Sequence, residues 1–150
     1  MAPLTGSSTE EIEAPLDQVW DLVEDVEAAP DWQGGLKGMH ALERDDQERA
    51  VLCEALTDAK VRTVKSIVRF DYRGAPQVLR WSQEKGDLKS VEGRWELEEL
   101  GGDRTRATYH IEADLGRMLG MVIRGPLVDV LRQMLAGARA GELKRRLEPS

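Results

Sequence analysis

The sequence predicts an α+β fold, in which an antiparallel sheet of six to seven strands packs against a long C-terminal helix. Apolar residues recur at helical spacing after a first short strand, which indicates two short helices there. From residue 37 onward, short apolar segments are separated by turn sequences and two of them alternate cleanly, as in half-buried strands. Helical spacing then returns in the last third of the chain.

The stretch "IEAPLDQVWDLVEDVEAAPDWQGGL" (residues 12–36) predicts the end of a strand followed by two short helices. Pro15 suits the first position of a helix, where its missing N–H group would be unpaired in any case. Pro30 cannot extend that helix, and "PDW" predicts the start of a second one that carries Trp32. The apolar face of the first helix consists of Leu16, Val19, Trp20, Val23 and Val26.

The middle of the chain predicts a series of antiparallel strands. "LKGMHALER" and "RAVLCEAL" flank the polar turn "DDQE" and indicate a hairpin. "KVRTVKSIVRFDYR" and "QVLRWSQE" follow, separated by "GAP", and then "LKSVEGRWELEEL" and "RTRATYHIEADL" flank Gly101 and Gly102. In this last pair one face is apolar, because Val91, Trp95 and Leu97 alternate with charged residues.

The C-terminal third is predicted to be helical from about Met118 to Glu148, with an interruption at Gly125 and Pro126. We expect a helix of about 25 residues or more to cover one face of the sheet, as its apolar stripe indicates. The stripe consists of Leu127, Leu131, Met134, Leu135 and Ala138.

Composition narrows the classes of partner. The chain has 150 residues, a formal net charge of −7 and one cysteine. The charge argues against nucleic acid or an anionic membrane as the main partner, and the single cysteine fits a reducing compartment. We therefore expect a single cytoplasmic domain over residues 1–150, with loose ends at about 1–6 and 149–150, and no stable membrane insertion.

The motifs "EIEAPLDQVWDLVEDVEAAPDW", "KGDLKSVEGRWELEEL" and "RTRATYHIEADLG", with a last helix ending in "LKRRLE", resemble the START/Bet v 1-like (SRPBCC) superfamily. The resemblance covers roughly residues 8–148 and is nearest to the bacterial polyketide cyclase/dehydrase and lipid-transport family, related to coenzyme Q-binding proteins. It implies a helix-grip fold, with a curved sheet around the last helix and an internal cavity. In that fold the two short helices cap one end, Trp20 packs in the core, and Trp32 lies near the cavity mouth.

Large side chains are candidates for the ligand cavity. On the predicted strands they either line a cavity or fill the core, and the sequence leaves both interpretations open. Methionines at helical spacing are more often core residues than ligand contacts. The candidates are Trp32, Phe70, Tyr72, Trp81, Trp95, Tyr109, Met118, Leu131 and Met134.

Arg62 is the candidate polar group of the cavity, because it shares a predicted strand face with Val64 and Ser66. The alternative is a strand-end arginine whose head group reaches water. Glu54 points inward only if Cys53 points outward, and the alternation leaves this open.

Catalytic groups are scarce in the sequence. His110 falls on a polar strand face, and His40 has no partner at metal-ligand spacing. No nucleophile motif or phosphate-binding loop is present in the sequence. We therefore predict no metal, no cofactor and no catalytic residue.

Three functions remain open. The chain binds or carries a small lipophilic molecule such as a lipid, quinone or polyketide, or it is a cofactor-free aromatase/cyclase or dehydratase, or it is a protein-interaction module. The scarcity of interior acid–base groups favours the binder over the enzyme. The net charge argues against a ribosome-associating module of the kind found among coenzyme Q-binding relatives. The identity of the ligand and the oligomeric state are left undetermined.

Overall fold

A computed structural model describes residues 4–148 of the chain. Seven strands form one antiparallel sheet in the order β1-β7-β6-β5-β4-β3-β2, so that the first and last strands are neighbours. This confirms the predicted α+β helix-grip fold. The strands are β1 (Leu4–Ile12), β2 (Leu36–Arg44), β3 (Ala50–Asp58), β4 (Thr63–Asp71), β5 (Val78–Gly86), β6 (Ser90–Gly101) and β7 (Arg104–Asp114).

Two short helices follow β1, as predicted. They are α1 (Leu16–Glu24) and a 3₁₀ helix (Val26–Asp31). The start of the second helix was predicted wrongly, since it begins before Pro30 and ends at Asp31, so that Trp32 follows it. Its first turn lies earlier because Val26 and Ala29 are buried there against the core.

The C-terminal helical segment is broken at the predicted position. Helix α2 (Gly116–Val122) is separated from α3 (Pro126–Arg132) by Gly125, which has a φ of 65° that favours glycine. A π-helical segment (Gln133–Gly137) and α4 (Arg139–Leu147) continue the chain. The continuous helical run therefore begins at Pro126 and is shorter than the predicted 25 residues.

The π-helical segment has a specific cause in β1. The Ser8 hydroxyl donates a hydrogen bond to the Ala136 carbonyl (2.7 Å) and accepts one from the Ala140 N–H (3.0 Å). These two helix groups would pair with each other in an uninterrupted α-helix. Insertion of the hydroxyl between them widens the turn, and the Ala138 N–H then bonds to the Gln133 carbonyl (2.8 Å).

The β6–β7 hairpin confirms the predicted alternation. Trp95 pairs with Tyr109 and Leu97 pairs with Ala107, so that all four side chains are buried on the concave face. A register shift between Glu99 and the turn keeps this pairing, and the glycines at 101 and 102 have φ values of 84° and 62°. The turn therefore needs residues that tolerate a left-handed backbone.

The prediction of a loose N-terminus was wrong for residues 4–6. They belong to β1 and pair with β7, and Leu4 is buried. A Cβ atom on Gly6 would lie 2.6 Å from the Ala136 Cβ, so this glycine allows the helix to approach the strand closely. The remaining residues of both predicted loose ends lie outside the described part of the chain. Within residues 4–148, the helices are all too short or too polar to cross a membrane.

Candidate functional site: an apolar cavity with a buried arginine

A cavity of about 160 Å³ lies between the concave face of the sheet and the C-terminal helical segment. All seven strands, the two short helices after β1 and the C-terminal helical segment contribute to its walls. Most of the lining side chains are apolar. The aromatic part of the wall consists of Phe70, Trp81, Trp95 and Tyr109. The fold therefore leaves an apolar space where a fully packed core would have side chains.

The aromatic residues form a continuous series of ring contacts. Trp95 and Tyr109 are the tightest pair, with ring centres 4.8 Å apart in an edge-on arrangement. The series runs from Tyr72 to Phe70 (6.5 Å), to Trp81 (6.1 Å), to Tyr109 (5.5 Å), to Trp95 and to Trp32 (6.2 Å).

Trp81 keeps its position in the wall because Gly93 opposes it on the next strand. A Cβ atom on Gly93 would lie 2.5 Å from the Trp81 ring, so the indole rests directly over the glycine backbone. The absence of a side chain at position 93 thus lets a large ring lie flat along the wall of the cavity.

Five of the nine predicted cavity residues line the cavity: Phe70, Trp81, Trp95, Tyr109 and Leu131. Their role in ligand binding stays a prediction. Trp32 does not line the space but packs against Trp95 behind the wall. Tyr72 also lies outside it, because its hydroxyl donates a hydrogen bond to the Ala50 carbonyl (2.6 Å) and its ring lies under the Arg49 guanidinium.

The two predicted methionines do not line the cavity, and Arg62 lies outside it. Met118 is 83% exposed on α2, and Met134 packs beside Gly35 without reaching the cavity. Arg62 precedes β4 in a turn, so the alternation used to place it does not apply there. Its side chain is exposed and lies 3.5 Å from the Asp87 carboxylate, in agreement with the alternative interpretation. The Cys53 side chain is buried in the core, whereas the Glu54 side chain lies beside Lys65 on the opposite face of the sheet.

Few polar side chains reach the cavity. Ser66 is satisfied by a hydrogen bond to the Gln83 amide oxygen (2.8 Å), which leaves Gln33, Thr57, the Tyr109 hydroxyl and Arg139. Among the described residues, no carboxylate and no histidine lines this space. The site therefore offers hydrogen-bond donors and a cation to a ligand, and it lacks a carboxylate or imidazole that could act as a general base.

Arg139 is held by a closed set of hydrogen bonds, which we call the clasp and define as Arg139, Glu142 and the backbone of Gly34. The arginine Nη1 donates to the Glu142 Oε1 atom (2.6 Å) and to the Gly34 carbonyl (2.9 Å). The Gly34 N–H donates to the Glu142 Oε2 atom (2.8 Å). The exposed fractions of the Arg139 and Glu142 side chains are 4% and 13%. The clasp therefore fastens the loop after the 3₁₀ helix to α4 through a buried ion pair.

Arg139 also contacts the aromatic wall. Its guanidinium carbon lies 5.6 Å from the centre of the Tyr109 ring. Burial raises the pKa of the Tyr109 hydroxyl above its ordinary value, while the nearby guanidinium acts in the opposite direction. The hydroxyl therefore remains protonated near neutral pH, so it is able to donate a hydrogen bond to a ligand.

Arg139 was not predicted as a cavity residue, although a signal for it is present in the sequence. Residues 131, 135 and 139 are four apart and lie on the same helix face, and the buried residues Ala140 and Leu143 extend that face. A single arginine within an apolar stripe is the pattern that marks a buried cation.

Cys53 is not available as a nucleophile, since it is fully buried. Burial raises the pKa of the thiol to about 11, and the Glu27 carboxylate acts in the same direction. We expect the folded protein to resist labelling by an aromatic disulfide reagent at pH 8, and the unfolded protein to react with one equivalent. Rapid labelling of the native protein, measured by absorbance, would contradict this prediction.

Within residues 4–148, histidine, cysteine, aspartate and glutamate side chains do not form a group of three or more that could hold a metal ion.

The model of one protein family, described as polyketide cyclase/dehydrase and lipid transport, matches residues 12–139. A comparison with curated proteins finds no match.

Solved structures share the whole architecture. A START superfamily protein of Mycobacterium smegmatis has a TM-score of 0.80 at 23% identity, over 95% of this chain and 96% of its own. The Zhui aromatase/cyclase of Streptomyces sp. R1128 has a TM-score of 0.72 at 19% identity, over 97% of this chain and 96% of its own. At these identities the likeness shows the fold alone.

Proposed function

Because the chain belongs to the polyketide cyclase/dehydrase and lipid transport family, we propose that it binds or carries a small lipophilic molecule in the cavity described above. The observation that carries this proposal is the cavity itself, an apolar space lined in part by aromatic rings. A packed core would gain dispersion contacts by closing such a space, so its retention favours a ligand. The lack of a carboxylate or histidine along the wall, within the described residues, favours binding over chemistry.

The size of the cavity limits what fits without movement. An engineered apolar cavity of about 150 Å³ in another protein holds one benzene molecule, and the present cavity is about 160 Å³. It therefore accommodates a single aromatic ring as it stands. A larger ligand requires displacement of part of the wall. The loop around Gly34 and Gly35 lies between the lining residues Gln33 and Leu36, so its movement would enlarge the cavity.

A cyclase or dehydratase activity is the second candidate function. It is favoured by Arg139 and Tyr109, two donors in the cavity that could polarise a carbonyl oxygen of a substrate. One of the structures of similar fold is an aromatase/cyclase. Turnover of an aromatic polyketide analogue, followed by mass spectrometry, distinguishes this activity from binding alone.

The binding proposal is tested with a panel of quinones, fatty acids, sterol-like molecules and aromatic polyketides. A ligand at about 100 times its Kd should stabilise the fold by about 2.7 kcal/mol, which raises the Tm by roughly 5–10 °C in a chain of this size. It should also change the tryptophan fluorescence, because Trp81 and Trp95 line the cavity. Thermal unfolding and fluorescence titration are the measurements.

A cavity-filling variant provides the control. Ala55 lines the cavity, so Ala55→Leu should weaken binding while the protein stays folded. Ser82→Leu adds the same side chain at an exposed position of β5 and should leave binding unchanged. If no compound in the panel binds, or if Ala55→Leu binds as tightly as the unmodified protein, the proposed function is wrong.

A further inference from the structure

One hydrogen-bond donor of a side chain that lines the cavity is not used by the protein. The Nη1 atom of Arg139 is occupied by the clasp, but the Nε–H group is buried and has no acceptor within residues 4–148. A buried unpaired donor is costly, and native proteins keep few of them. Because Arg139 lines the cavity, a ligand atom that reaches the Nε–H group would supply the missing acceptor.

A second donor lies beside this group. The Tyr109 ring is in contact with the guanidinium, and its hydroxyl stays protonated. Both side chains line the cavity, where the remaining wall is largely apolar. A ligand that fits this arrangement has an apolar body and one oxygen atom at the end nearest Arg139.

The charge of the clasp decides what kind of oxygen fits. An arginine side chain is always protonated in a protein, and here Glu142 already balances it in a buried ion pair. Among the described residues, no other charged side chain lines the cavity. A ligand carboxylate would therefore bring an uncompensated negative charge against a largely apolar wall, whereas a carbonyl oxygen adds no charge.

We propose that the cavity selects an uncharged apolar molecule with a carbonyl oxygen, which accepts a hydrogen bond from the Nε–H group of Arg139. This inference rests on the proposed function and specifies the chemistry of its ligand. It makes Arg139 a specificity-determining residue, which separates ketones or quinones from hydrocarbons on one side and from fatty or aromatic acids on the other.

The test uses three probes of matched size, namely acetophenone, α-methylstyrene and benzoate. They carry a ketone, a hydrocarbon and a carboxylate on the same ring. Each is titrated into ¹⁵N-labelled protein, and binding is followed through the indole N–H resonances and the arginine Nε–H resonances. The Arg139 resonance is identified by its loss in Arg139→Lys. We expect acetophenone to bind about tenfold more tightly than α-methylstyrene and to shift the Arg139 Nε–H resonance downfield, with benzoate the weakest.

The outcomes separate the inference from the function on which it rests. Equal binding of acetophenone and α-methylstyrene, with no shift of the Arg139 resonance, overturns the inference but leaves the binder function standing. Tighter binding of benzoate than of acetophenone also overturns it. If none of the three probes moves any resonance of the cavity, the proposed function itself fails for ligands of this size.

Removal of the balancing charge provides an independent test. In Glu142→Gln the Arg139 charge is no longer compensated, so the affinity for benzoate relative to acetophenone should rise about tenfold or more. Asp129→Asn, which removes an exposed carboxylate from α3, should leave this ratio unchanged. An unchanged ratio in a folded Glu142→Gln protein contradicts the charge argument. If that variant does not fold, the three-probe comparison in the unmodified protein decides.

Discussion

Trp95→Ala is expected to lower the free energy of unfolding by about 3–5 kcal/mol, the range for removal of a buried tryptophan. Trp95 is 2% exposed, and its ring contacts both Tyr109 and Trp32. Truncation removes these contacts and enlarges a cavity that already exists, so the surrounding side chains have little means of filling the new space. Denaturant unfolding followed by circular dichroism measures the loss of stability.

The same variant should also bind lipophilic ligands more weakly, because it removes part of the aromatic wall. Trp32→Ala is the matched control, since Trp32 touches Trp95 but does not line the cavity and is only partly buried. We expect it to cost less stability and mainly to change the rates of ligand uptake and release, measured by stopped-flow fluorescence. A loss below about 1 kcal/mol in Trp95→Ala, or an equal loss in both variants, contradicts this interpretation of the wall.

The strands and their buried faces were predictable because side-chain alternation depends only on residues close together in the sequence. A strand with one buried face has a period of two, so the alternation around Trp95 and Tyr109 defines both the strands and the face that points to the cavity. Ser66 was placed correctly by the same argument, as it follows Val64 by two residues on β4. The turn at Gly101 and Gly102 was also predictable, since a left-handed backbone strongly favours glycine.

Predictions from periodicity were wrong at positions where a strand or helix ends. Arg62 was assigned to the face of Val64 as if the strand continued, but β4 begins at Thr63. Met118 was named as a cavity candidate at the start of the predicted C-terminal helix, but α2 is a separate helix that leaves this side chain exposed. A periodicity argument holds only within an element, and element boundaries are the least certain part of a prediction from sequence.

Other features depend on contacts distant in the chain. The π-helical segment arises because the Ser8 hydroxyl inserts into a helix more than 120 residues later in the chain. The helix sequence alone does not predict this contact. The unpaired Nε–H group of Arg139 is likewise visible only after folding, since it follows from which acceptors surround the guanidinium. The position of Arg139 is nevertheless visible in the sequence, because it follows Leu131 and Leu135 at four-residue intervals.

Arg139→Met should destabilise the protein by about 3–5 kcal/mol, because it leaves the Glu142 carboxylate buried without its cation. Loss of the hydrogen bond to the Gly34 carbonyl adds to the effect. This cost reflects the unpaired charge more than the net value of the ion pair. Thermal and denaturant unfolding at neutral pH are the measurements.

A double-mutant cycle isolates that unpaired charge. Glu142→Leu alone leaves the Arg139 cation buried, whereas Arg139→Met with Glu142→Leu leaves neither charge. The double variant should therefore be more stable than the sum of the two single losses implies, by about 1–3 kcal/mol. It still loses the partners of the Gly34 backbone, so it does not return to full stability.

The Arg132 and Asp129 pair provides the matched reference for the cycle. It also joins an arginine to a carboxylate three residues away on the same helical segment, but the Arg132 and Asp129 side chains are 40% and 79% exposed. The coupling free energy between Arg132 and Asp129 should be no more than about 0.5 kcal/mol, because solvent screens an exposed pair. If the coupling of Arg139 with Glu142 is equally small, the two charges are not desolvated in solution. The clasp would then be open, and the charge argument for an uncharged ligand would lose its basis.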